Sequence, residues 1–391
     1  MIQKSIGILA DQIRGVSYKK KNLHDTLDEN SVILLRANNI INGKLDFTDV
    51  LYVDKSVISD TQYLKYGDIL ISASSGSKKV IGKAASFHSQ CKCTFGAFCK
   101  VIRPHKDVRE FLRIYFQSSA YRRQISHLAL GANINNIRNE HIDSLQLEIP
   151  NETAMKQIVN KIDLLQKILT KKQQILSDLD ELIKARFVEM FGDPINNSKN
   201  WKLINIKKCC VDILGGGTPS KSHPEFFTGS VPWVTPKDMK ENVITDSKDH
   251  ITYEAISNSS AKLIPSNSVL MVIRSGILKH TLPVAINKNE VTINQDMKAF
   301  VPTSEISPIF LENYFIAISP DILSKVRSVT ADNINFKSFQ KRKIILPPIS
   351  LQNEFANFVQ QVDKSKFENI VYLNKTLSMK ILGQLGDVFR D

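Results

Sequence analysis

The sequence predicts an α+β protein with two globular parts, each followed by a long helix, and the two helices are expected to pair as an antiparallel coiled coil. Three observations predict this arrangement. A central stretch of about 40 residues has apolar side chains at alternating steps of three and four. A second long segment without proline covers residues 351–389, and short motifs recur about 200 residues apart.

The first globular part, residues 1–150, mixes strand and helix patterns. An amphipathic stretch at 108–128 predicts a helix. Short apolar runs bounded by turn residues predict strands. These predicted strands lie at 31–35, 68–72, 99–103 and 145–149.

The first long helix is predicted at residues 151–193. It has no proline or glycine before Gly192, which caps it, and Pro194 cannot continue it. At about 1.5 Å per residue, a helix of this length extends for roughly 60 Å. Lys172 and Arg186 are the seam positions that are not apolar. The predicted seam residues are Ile158, Ile162, Leu165, Leu169, Leu176, Leu179 and Ile183, with Met155 and Met190 at its ends.

The second globular part, residues 194–350, repeats the pattern of the first, with strands predicted at 269–273, 299–302 and 343–346 and a helix at 308–318. The second long helix is predicted at 351–391. Its heptad pattern is weaker, because the register slips between Val362 and Phe367. Its predicted seam residues are Phe358, Val362, Ile370, Leu377 and Ile381.

Short motifs repeat in the same order at one offset near 200 residues, which predicts two copies of one structural unit. The matches pair Val32–Ile40 with 231–239, Ile69 and Leu70 with Val269 and Leu270, Ser75 and Gly76 with Ser275 and Gly276, Phe111 and Leu112 with Phe310 and Leu311, Tyr115 and Phe116 with Tyr314 and Phe315, Asn133 to Asn135 with Asn333 to Asn335, and Val159 and Asp163 with Val359 and Asp363.

Charge and cysteine content restrict the function. The chain of 391 residues has a net charge of +13, and its pI is near 9.3, which favours a polyanionic partner such as nucleic acid. No run of 18 apolar residues indicates a transmembrane helix, so no membrane partner is expected. The five cysteines lack zinc-finger spacing and are expected to be reduced thiols in a cytoplasmic protein.

No catalytic motif is evident. Gly76 and Gly82 resemble a phosphate-binding loop, but five residues separate them instead of four, and Ala84 replaces the hydroxyl residue. The glycines at 215–217 lack dinucleotide-binding spacing, and the Asn-Pro-Pro-aromatic motif of an amino-methyltransferase is missing. The eight histidines are scattered, without metal-ligand spacing. We therefore expect no catalytic residues, no bound metal and no cofactor on this chain.

Polar and basic loops instead predict contacts to nucleic acid. Lys and Arg neutralise phosphates, and Arg and Asn can also read base edges. Any one such loop is about equally well explained as a solvated surface loop, but the recurrence in both copies favours a binding role. The candidate DNA-binding residues are Arg14, Tyr18, Lys19, Lys20, Arg36, Asn38, Asn39, Lys78 and Lys79 in the first copy, and Thr218, Ser220, Lys221, Lys237, Arg274 and Lys279 in the second.

Four motifs make the chain similar to the specificity (S) subunits of Type I restriction–modification enzymes. Two of them lead into the long helices, Leu147 to Pro150 and Ile345 to Gln352. The third, Phe187 to Pro194, ends the first helix. In the fourth, Gly217 to Ser220 precedes Val231 to Val234. The resemblance covers the whole chain; the first copy departs from it at 151–154, where Asn-Glu-Thr-Ala replaces the usual helix start.

The resemblance implies that 1–150 and 194–350 are target-recognition domains, each binding one half of a split, asymmetric sequence in double-stranded DNA. It implies that 151–193 and 351–391 are spacer helices. Two methyltransferase (M) subunits would dock on these helices and use S-adenosylmethionine. Two restriction (R) subunits would use ATP and Mg. The chain itself would be non-catalytic.

Three other functions remain open. The chain could serve a methylation-only system, which would lack the restriction subunits. It could be a DNA methyltransferase with its own recognition domain, although the missing motifs argue against this. It could also be a coiled-coil scaffold that binds nucleic acid, which sequence-specific protection of duplex DNA would distinguish.

Overall fold

The computed structural model of the chain describes residues 2–74, 80–130, 136–328 and 332–371. These residues form two units, a first unit before residue 173 and a second unit of residues 173–370. Within the described residues, no helix combines the length and hydropathy needed to cross a membrane.

The first unit consists of short strands and short helices ahead of one long helix. Its strands are β1 (Ile2–Ser5), β2 (Ala10–Arg14), β3 (Leu23–His24), β4 (Ser31–Leu35), β5 (Ile40–Ile41), β6 (Lys44–Leu45), β7 (Leu51–Asp54), β8 (Ile69–Ser72), β9 (Ala84–Ser86), β10 (Cys93–Phe95), β11 (Cys99–Pro104) and β12 (Gln146–Ile149). Its helices are α1 (Ile6–Leu9), α2 (Arg109–Tyr115), α3 (Ser119–Leu130), α4 (Asn139–Asp143) and the first half of α5 (Glu152–Phe191).

The prediction of a single helix at 108–128 is wrong, because the structure divides this stretch into two helices, α2 and α3. Ser118 causes the break. Its hydroxyl donates a hydrogen bond to the carbonyl of Tyr115 at 2.7 Å and accepts one from the backbone N–H of Tyr121 at 3.1 Å. A serine that satisfies a free N–H at a helix start favours a new helix over continuation of the old one.

Two four-stranded sheets form most of the first unit, in the orders β2-β11-β8-β9 and β10-β4-β7-β3. The first sheet is antiparallel throughout. In the second sheet β4 and β10 run parallel, while β4 and β7 run antiparallel. A separate pair joins β1 to β12, so Ile2 lies opposite Ile149 just before the long helix begins.

The second unit repeats the main strand pairings of the first. Its strands are β13 (Lys202–Asn205), β14 (Cys210–Gly215), β15 (Val231–Val234), β16 (Val243–Ile244), β17 (His250–Ile251), β18 (Val269–Val272), β19 (Val284–Asn287), β20 (Thr292–Ile293), β21 (Met297–Pro302), β22 (Arg327–Ser328), β23 (Asp332–Asn333) and β24 (Lys343–Leu346). Its helices are α6 (Tyr253–Ser257), α7 (Pro308–Ala317), α8 (Ser319–Leu323), α9 (Phe336–Phe339), α10 (Ile349–Val371) and the second half of α5.

Each main pairing of the first unit has a counterpart in the second. The order β14-β21-β18-β19 matches β2-β11-β8-β9. The parallel pair β15–β20 matches β4–β10, and the antiparallel pair β13–β24 matches β1–β12. The predicted internal repeat is therefore present in the strand topology as well as in the sequence.

One predicted match of the repeat is displaced by three residues. The backbone N–H of Ile137 donates to the carbonyl of Ala73 at 2.7 Å, and that of Ile334 donates to the carbonyl of Ile273 at 2.9 Å. Asn136 and Ile137 are thus the counterparts of Asn333 and Ile334. The predicted partners Asn133 and Ile134 lie outside the described residues.

Helix α5 is continuous over 40 residues. It ends where predicted, because Gly192 has a φ of 76° and so adopts the left-handed conformation of a helix cap. Within the second unit, α5 pairs with α10 in antiparallel orientation. Arg186 Nη2 lies 3.2 Å from Glu354 Oε1, and Lys366 Nζ lies 2.7 Å from Asp180 Oδ1, so the partners run in opposite directions along the two helices.

The predicted seam residues of α5 are all turned away from solvent. Ile162 and Ile183 are buried, and the remaining five are half-buried. On α10, Val362 is buried and Phe358 packs against the core of the second unit. Ile370, by contrast, is 43% exposed, so its prediction as a seam residue is wrong; the seam of α10 does not continue in register beyond Val362. Leu377 and Ile381 lie outside the described residues.

Candidate nucleic-acid interface

Loops that are far apart in the first unit's sequence meet around a single cavity. The cavity has a volume of about 450 Å³. The predicted DNA-binding residues Tyr18, Arg36 and Asn38 line it, together with Ser74. Ser74 is the last described residue before the loop that carries Lys78 and Lys79, which lie outside the described residues.

Backbone hydrogen bonds to the turn between β10 and β11 bring these loops together. The N–H of Val16 donates to the carbonyl of Phe95 at 2.8 Å, and the N–H of Ser74 donates to that of Phe98 at 3.0 Å. A Cβ atom at Gly15 would lie 2.1 Å from the Gly96 carbonyl oxygen. Only glycine permits so close an approach of two backbones, so Gly15 sets the position of the basic loop that follows it.

Asp49 orients two of the predicted base-reading side chains. Its Oδ2 accepts a hydrogen bond from Arg36 Nη2 at 3.2 Å and one from Asn38 Nδ2 at 2.8 Å. Because Asp49 contacts only one end of the Arg36 guanidinium, Nη1 can still donate to a base edge. A side chain held in one orientation loses less conformational entropy when it binds.

Asn39 is removed from the set of predicted DNA-binding residues. It is buried, and its side chain is fully used within the protein. Its Oδ1 accepts from the backbone N–H of Arg36 at 2.8 Å, and its Nδ2 donates to the carbonyls of Asp46 and Asp49 at 2.9 and 2.8 Å. Asn39 therefore shapes the loop that presents Arg36 and Asn38.

The second unit has the same loop-shaping bond with a different residue. Asp238 Oδ2 accepts from the backbone N–H of Thr235 at 2.8 Å, so Thr235 and Asp238 are the counterparts of Arg36 and Asn39. This assignment also makes Lys237 the counterpart of Asn38. The two units thus share a loop geometry and differ in the side chains that the loop presents.

The remaining predicted residues of the first unit supply charge at the surface. Arg14, Lys19 and Lys20 are exposed. The backbone N–H of Lys19 donates to Asn22 Oδ1 at 2.9 Å, which fixes the start of a short 3₁₀ turn. Exposed cations on an ordered loop are suited to phosphate contacts.

The predicted residues of the second unit surround an equivalent turn. A Cβ atom at Gly216 would lie 2.0 Å from the Asn294 carbonyl oxygen, as Gly15 approaches Gly96. Thr218 hydrogen bonds to Gln295, and Arg274 Nε lies 2.6 Å from Asp296 Oδ1. Ser220, Lys221, Lys237 and Lys279 are exposed.

Sequence reasoning missed Asp49, in the loop before β7, and three residues at these turns, Phe98, Gln295 and Asp296. Acidic and apolar side chains give no signal in a search for cations and amides, and Gln295 is an amide outside the basic loops that the search selected. The only signal in the sequence was positional, because Phe98 and Asp296 follow the short apolar runs that became β10 and β20.

The described residues contain no group of three or more His, Cys, Asp or Glu side chains arranged to hold a metal ion. Burial raises the pKa of the Cys99, Cys209 and Cys210 thiols to about 12. These thiols are therefore protonated at neutral pH and are weak nucleophiles.

The chain has two units of one fold, each with polar and basic loops, and one long helix that belongs to both. These are the features of a double-domain DNA-recognition protein. The family model of the Type I restriction modification DNA specificity domain matches residues 6–180 and again residues 198–378. The chain therefore belongs to this family and contains two copies of its domain.

Curated relatives and solved structures agree. The EcoKI specificity subunit of Escherichia coli (strain K12) is 29% identical over 374 residues, covering 90% of this chain and 79% of the relative. The EcoR124I/EcoR124II specificity subunit of Escherichia coli is 40% identical over 152 residues, 38% of each chain. The S subunit structure from M. genitalium has a TM-score of 0.53 at 14% identity, covering 100% of this chain and 96% of that one.

A second solved structure, from work on complex assembly of the type I R-M system, has a TM-score of 0.60 at 16% identity. It covers 100% of this chain and 97% of the other. At such low sequence identity these two structures support the fold alone.

Proposed function

We propose that this chain is the DNA-recognition subunit of a Type I restriction–modification complex and performs no covalent chemistry itself. Each unit contacts one half of a split, asymmetric DNA site through the loops around its central turn. The convergence of residues 16–18, 36–38 and 74 on one cavity carries this proposal, because polar and basic residues distant in sequence gather at one surface.

The charge and chemistry of the loops suit duplex DNA. Arg14, Lys19 and Lys20 would neutralise phosphates and supply affinity that falls with salt. Arg36 and Asn38 carry the donor and acceptor groups that distinguish guanine and adenine in the major groove. Thr235 and Lys237 occupy the same loop positions in the second unit, so the two half-sites are expected to differ.

The long helices would carry the partner subunits. We propose that two methyltransferase subunits dock on them and use S-adenosylmethionine, and that two restriction subunits add ATP- and Mg-dependent cleavage. The complex would act on DNA in the cytoplasm. The chain would contribute recognition and spacing, while every cofactor would be bound by its partners.

The test is the set of methylated DNA sequences in cells that express this chain with its methyltransferase partner. We expect a two-part motif with unequal halves and a gap of fixed length. Arg36→Ala should relax the first half and leave the second unchanged, and Lys237→Ala, at an exposed position of the matching loop, should do the reverse. Each variant therefore controls for the other. A motif without a gap, or two variants that alter the same half, would contradict the proposal.

A further inference from the structure

Phe98 is a large apolar side chain in an exposed position on the candidate interface. The residue is 71% exposed at the turn between β10 and β11. Hydrogen bonds hold the backbone of this turn, since the N–H of Cys99 donates to the carbonyl of Gly96 at 2.8 Å, and the Phe98 carbonyl accepts from both Ala73 and Ser74. The turn therefore places the Phe98 side chain at the surface beside the cavity.

The cavity beside this ring has apolar and polar sides. Phe98, Ala37 and Ala97 contribute apolar surface, while Arg36 and Asn38 contribute hydrogen-bond donors. The first unit would therefore present a small apolar contact surface directly beside side chains that can read a base pair. Apolar surface directly beside hydrogen-bond donors is suited to a base pair, whose major-groove edge has both polar groups and, at thymine, a methyl group.

The charge around the cavity restricts the partner. Lys19 and Lys20 are exposed on the adjoining loop and Arg14 is exposed at the end of β2, so a polyanion is favoured over an apolar protein surface. The base edges of duplex DNA display one prominent apolar group in the major groove, the 5-methyl group of thymine. Phenylalanine and alanine side chains are suited to contact it.

We propose that Phe98, with Ala37 and Ala97, contacts the 5-methyl group of a thymine in the half-site recognised by the first unit. The inference rests on the proposed function and extends it, because it assigns a specificity role to a residue outside the polar and basic loops. Phe98 selects an A·T pair, and Arg36 and Asn38 read the neighbouring positions.

The second unit has a different solution at the same place. The N–H groups of Ile273 and Arg274 both donate to the carbonyl of Asp296, as those of Ala73 and Ser74 do to Phe98. Asp296 is therefore the counterpart of Phe98, and its carboxylate is 2.6 Å from Arg274 Nε. One unit has an aromatic ring where the other has an ion pair, which fits two half-sites with different bases at this position.

The experiment uses the full-length chain in complex with its methyltransferase subunits and synthetic duplexes that carry the methylated motif. Each thymine of the first half-site, on either strand, is replaced in turn by uracil, which lacks only the methyl group. At one position we expect binding by the wild-type complex to weaken by about three- to five-fold, the factor for losing burial of one methyl group. Phe98→Ala should bind the thymine and uracil duplexes equally well.

Two further variants separate a base contact from a general effect. Phe98→Leu retains an apolar side chain and should keep part of the thymine preference. Tyr66→Ala removes an aromatic ring that is 58% exposed in the same unit but does not line the cavity. This variant should discriminate thymine from uracil as the wild type does. Uracil substitutions in the second half-site should be insensitive to Phe98→Ala.

The outcomes distinguish the inference from the proposed function. If the wild-type complex methylates a two-part motif but no uracil substitution weakens binding, or if Phe98→Ala retains the wild-type preference, the thymine contact is wrong. If the complex methylates no two-part motif, the proposed function itself fails. Increased fluorescence of 2-aminopurine beside the site would indicate insertion of Phe98 between bases, which would also overturn the methyl contact.

Discussion

At the scale of single residues, Asp49 combines exposure with a positioning role. Its side chain is 75% exposed, yet it accepts hydrogen bonds from both Arg36 and Asn38. An acidic group on a surface that binds phosphates is unfavourable for affinity. Its presence is explained by specificity, because Asp49 orients the two side chains that are proposed to read bases. This gain in specificity offsets the affinity that is lost through repulsion between the Asp49 carboxylate and the DNA phosphates.

Asp49→Ala should therefore lower specificity without lowering affinity. Removal of the carboxylate frees Arg36 and Asn38, so we expect discrimination at the first half-site to fall by roughly 1–2 kcal/mol, within the range for a bidentate contact. Binding to unrelated duplex DNA should stay constant or strengthen. Competition binding against a duplex with a changed first half-site measures both quantities. Asp60→Ala, an exposed carboxylate in the same unit, is the control, and equal losses for all sequences would contradict the positioning role.

A second single-residue feature concerns the repeat. Arg113 in the first unit is nearly buried and pairs with Asp163 at 2.6 Å. Its counterpart in the second unit is Glu312, which is buried, and whose Oε1 has no hydrogen-bond partner among the described residues. Burial, and then the nearby charge of Asp363, raise the pKa of Glu312 well above its ordinary value of 4.5. Lys366 and Lys288 act in the opposite direction.

This shift makes the stability of the second unit dependent on pH. A carboxyl group with a raised pKa in the folded state binds its proton more tightly there than in the unfolded chain. The contribution of Glu312 to the free energy of unfolding is fully present below about pH 4.5, and it is lost as the pH rises through the folded-state pKa. Glu312→Gln should therefore raise the melting temperature more at pH 8 than at pH 5. Glu354→Gln, a surface carboxylate of α10, should change it little at either pH, and an equal effect of Glu312→Gln at both pH values would contradict the assignment.

At the scale of elements, a cluster of four aromatic rings anchors α5 in the second unit. Phe187 and Phe191 of α5 contact Phe310 of α7 and Phe355 of α10, with ring centroids 4.9 to 5.8 Å apart. All four rings are buried. The cluster therefore links three helices and fixes the end of α5 against the second unit.

Phe187→Ala should lower the free energy of unfolding of the second unit by about 3–5 kcal/mol, the cost of a large cavity in a packed core. Leu182→Ala is the matched control, because Leu182 lies on the same helix but is 46% exposed. Denaturant unfolding followed by near-UV circular dichroism reports the packing of these rings. Similar losses for the two variants would show that the cluster is not the anchor.

Periodicity predicted the long helices better than the short elements. The seam of α5 followed from its heptads, because burial on one stripe of a helix leaves a strong pattern over five turns or more. The break at Ser118 and the displaced match at Asn136 did not follow. The break depends on the two hydrogen bonds of the Ser118 hydroxyl, and the displaced match depends on one bond to the Ala73 carbonyl; the sequence pattern encodes neither.

The candidate interface was predictable only in part, for a related reason. Basic and amide residues identified the loops, and the repeat supported them. Which side chains are free to bind depends on the fold, and Asn39 was misassigned because its amide is used to close the loop. Phe98 became a candidate only when the pairing of β10 with β4 and the bond from the Gly96 N–H to the Leu35 carbonyl placed its turn beside Arg36.

At the scale of the whole molecule, the net charge of +13 predicts affinity that depends on salt. Lys19→Ala combined with Lys20→Ala should weaken binding to all duplex sequences. It should also reduce the slope of log affinity against log salt by roughly 0.9 for each phosphate that is no longer neutralised. Lys207 and Lys208, an adjacent pair of exposed lysines in the second unit outside the proposed loops, provide the control. A slope unchanged by the first pair of substitutions, or lowered equally by the second, would contradict the loop assignment.

The gap in the recognised DNA should depend on the length of the long helices. Helix α5 is continuous across both units, so residues inserted within it lengthen the covalent path between them. Seven residues preserve the heptad phase, and at about 1.5 Å each they add about 10 Å. A matched heptad is needed in the second helix, where the sequence predicts Leu377 as a seam residue. Insertion after Leu169 and after Leu377 should widen the gap by up to about three base pairs, at roughly 3.4 Å each.

Both half-sites should stay the same in this variant, because no reading loop is altered. The methylated motif of cells that carry the lengthened chain gives the result directly. A seven-residue insertion in the surface segment between Pro194 and Trp201, outside α5, is the control and should leave the gap unchanged. If the lengthened helices alter a half-site, or if the gap stays the same, helix length does not set the spacing, and the distance between half-sites must be fixed by the partner subunits.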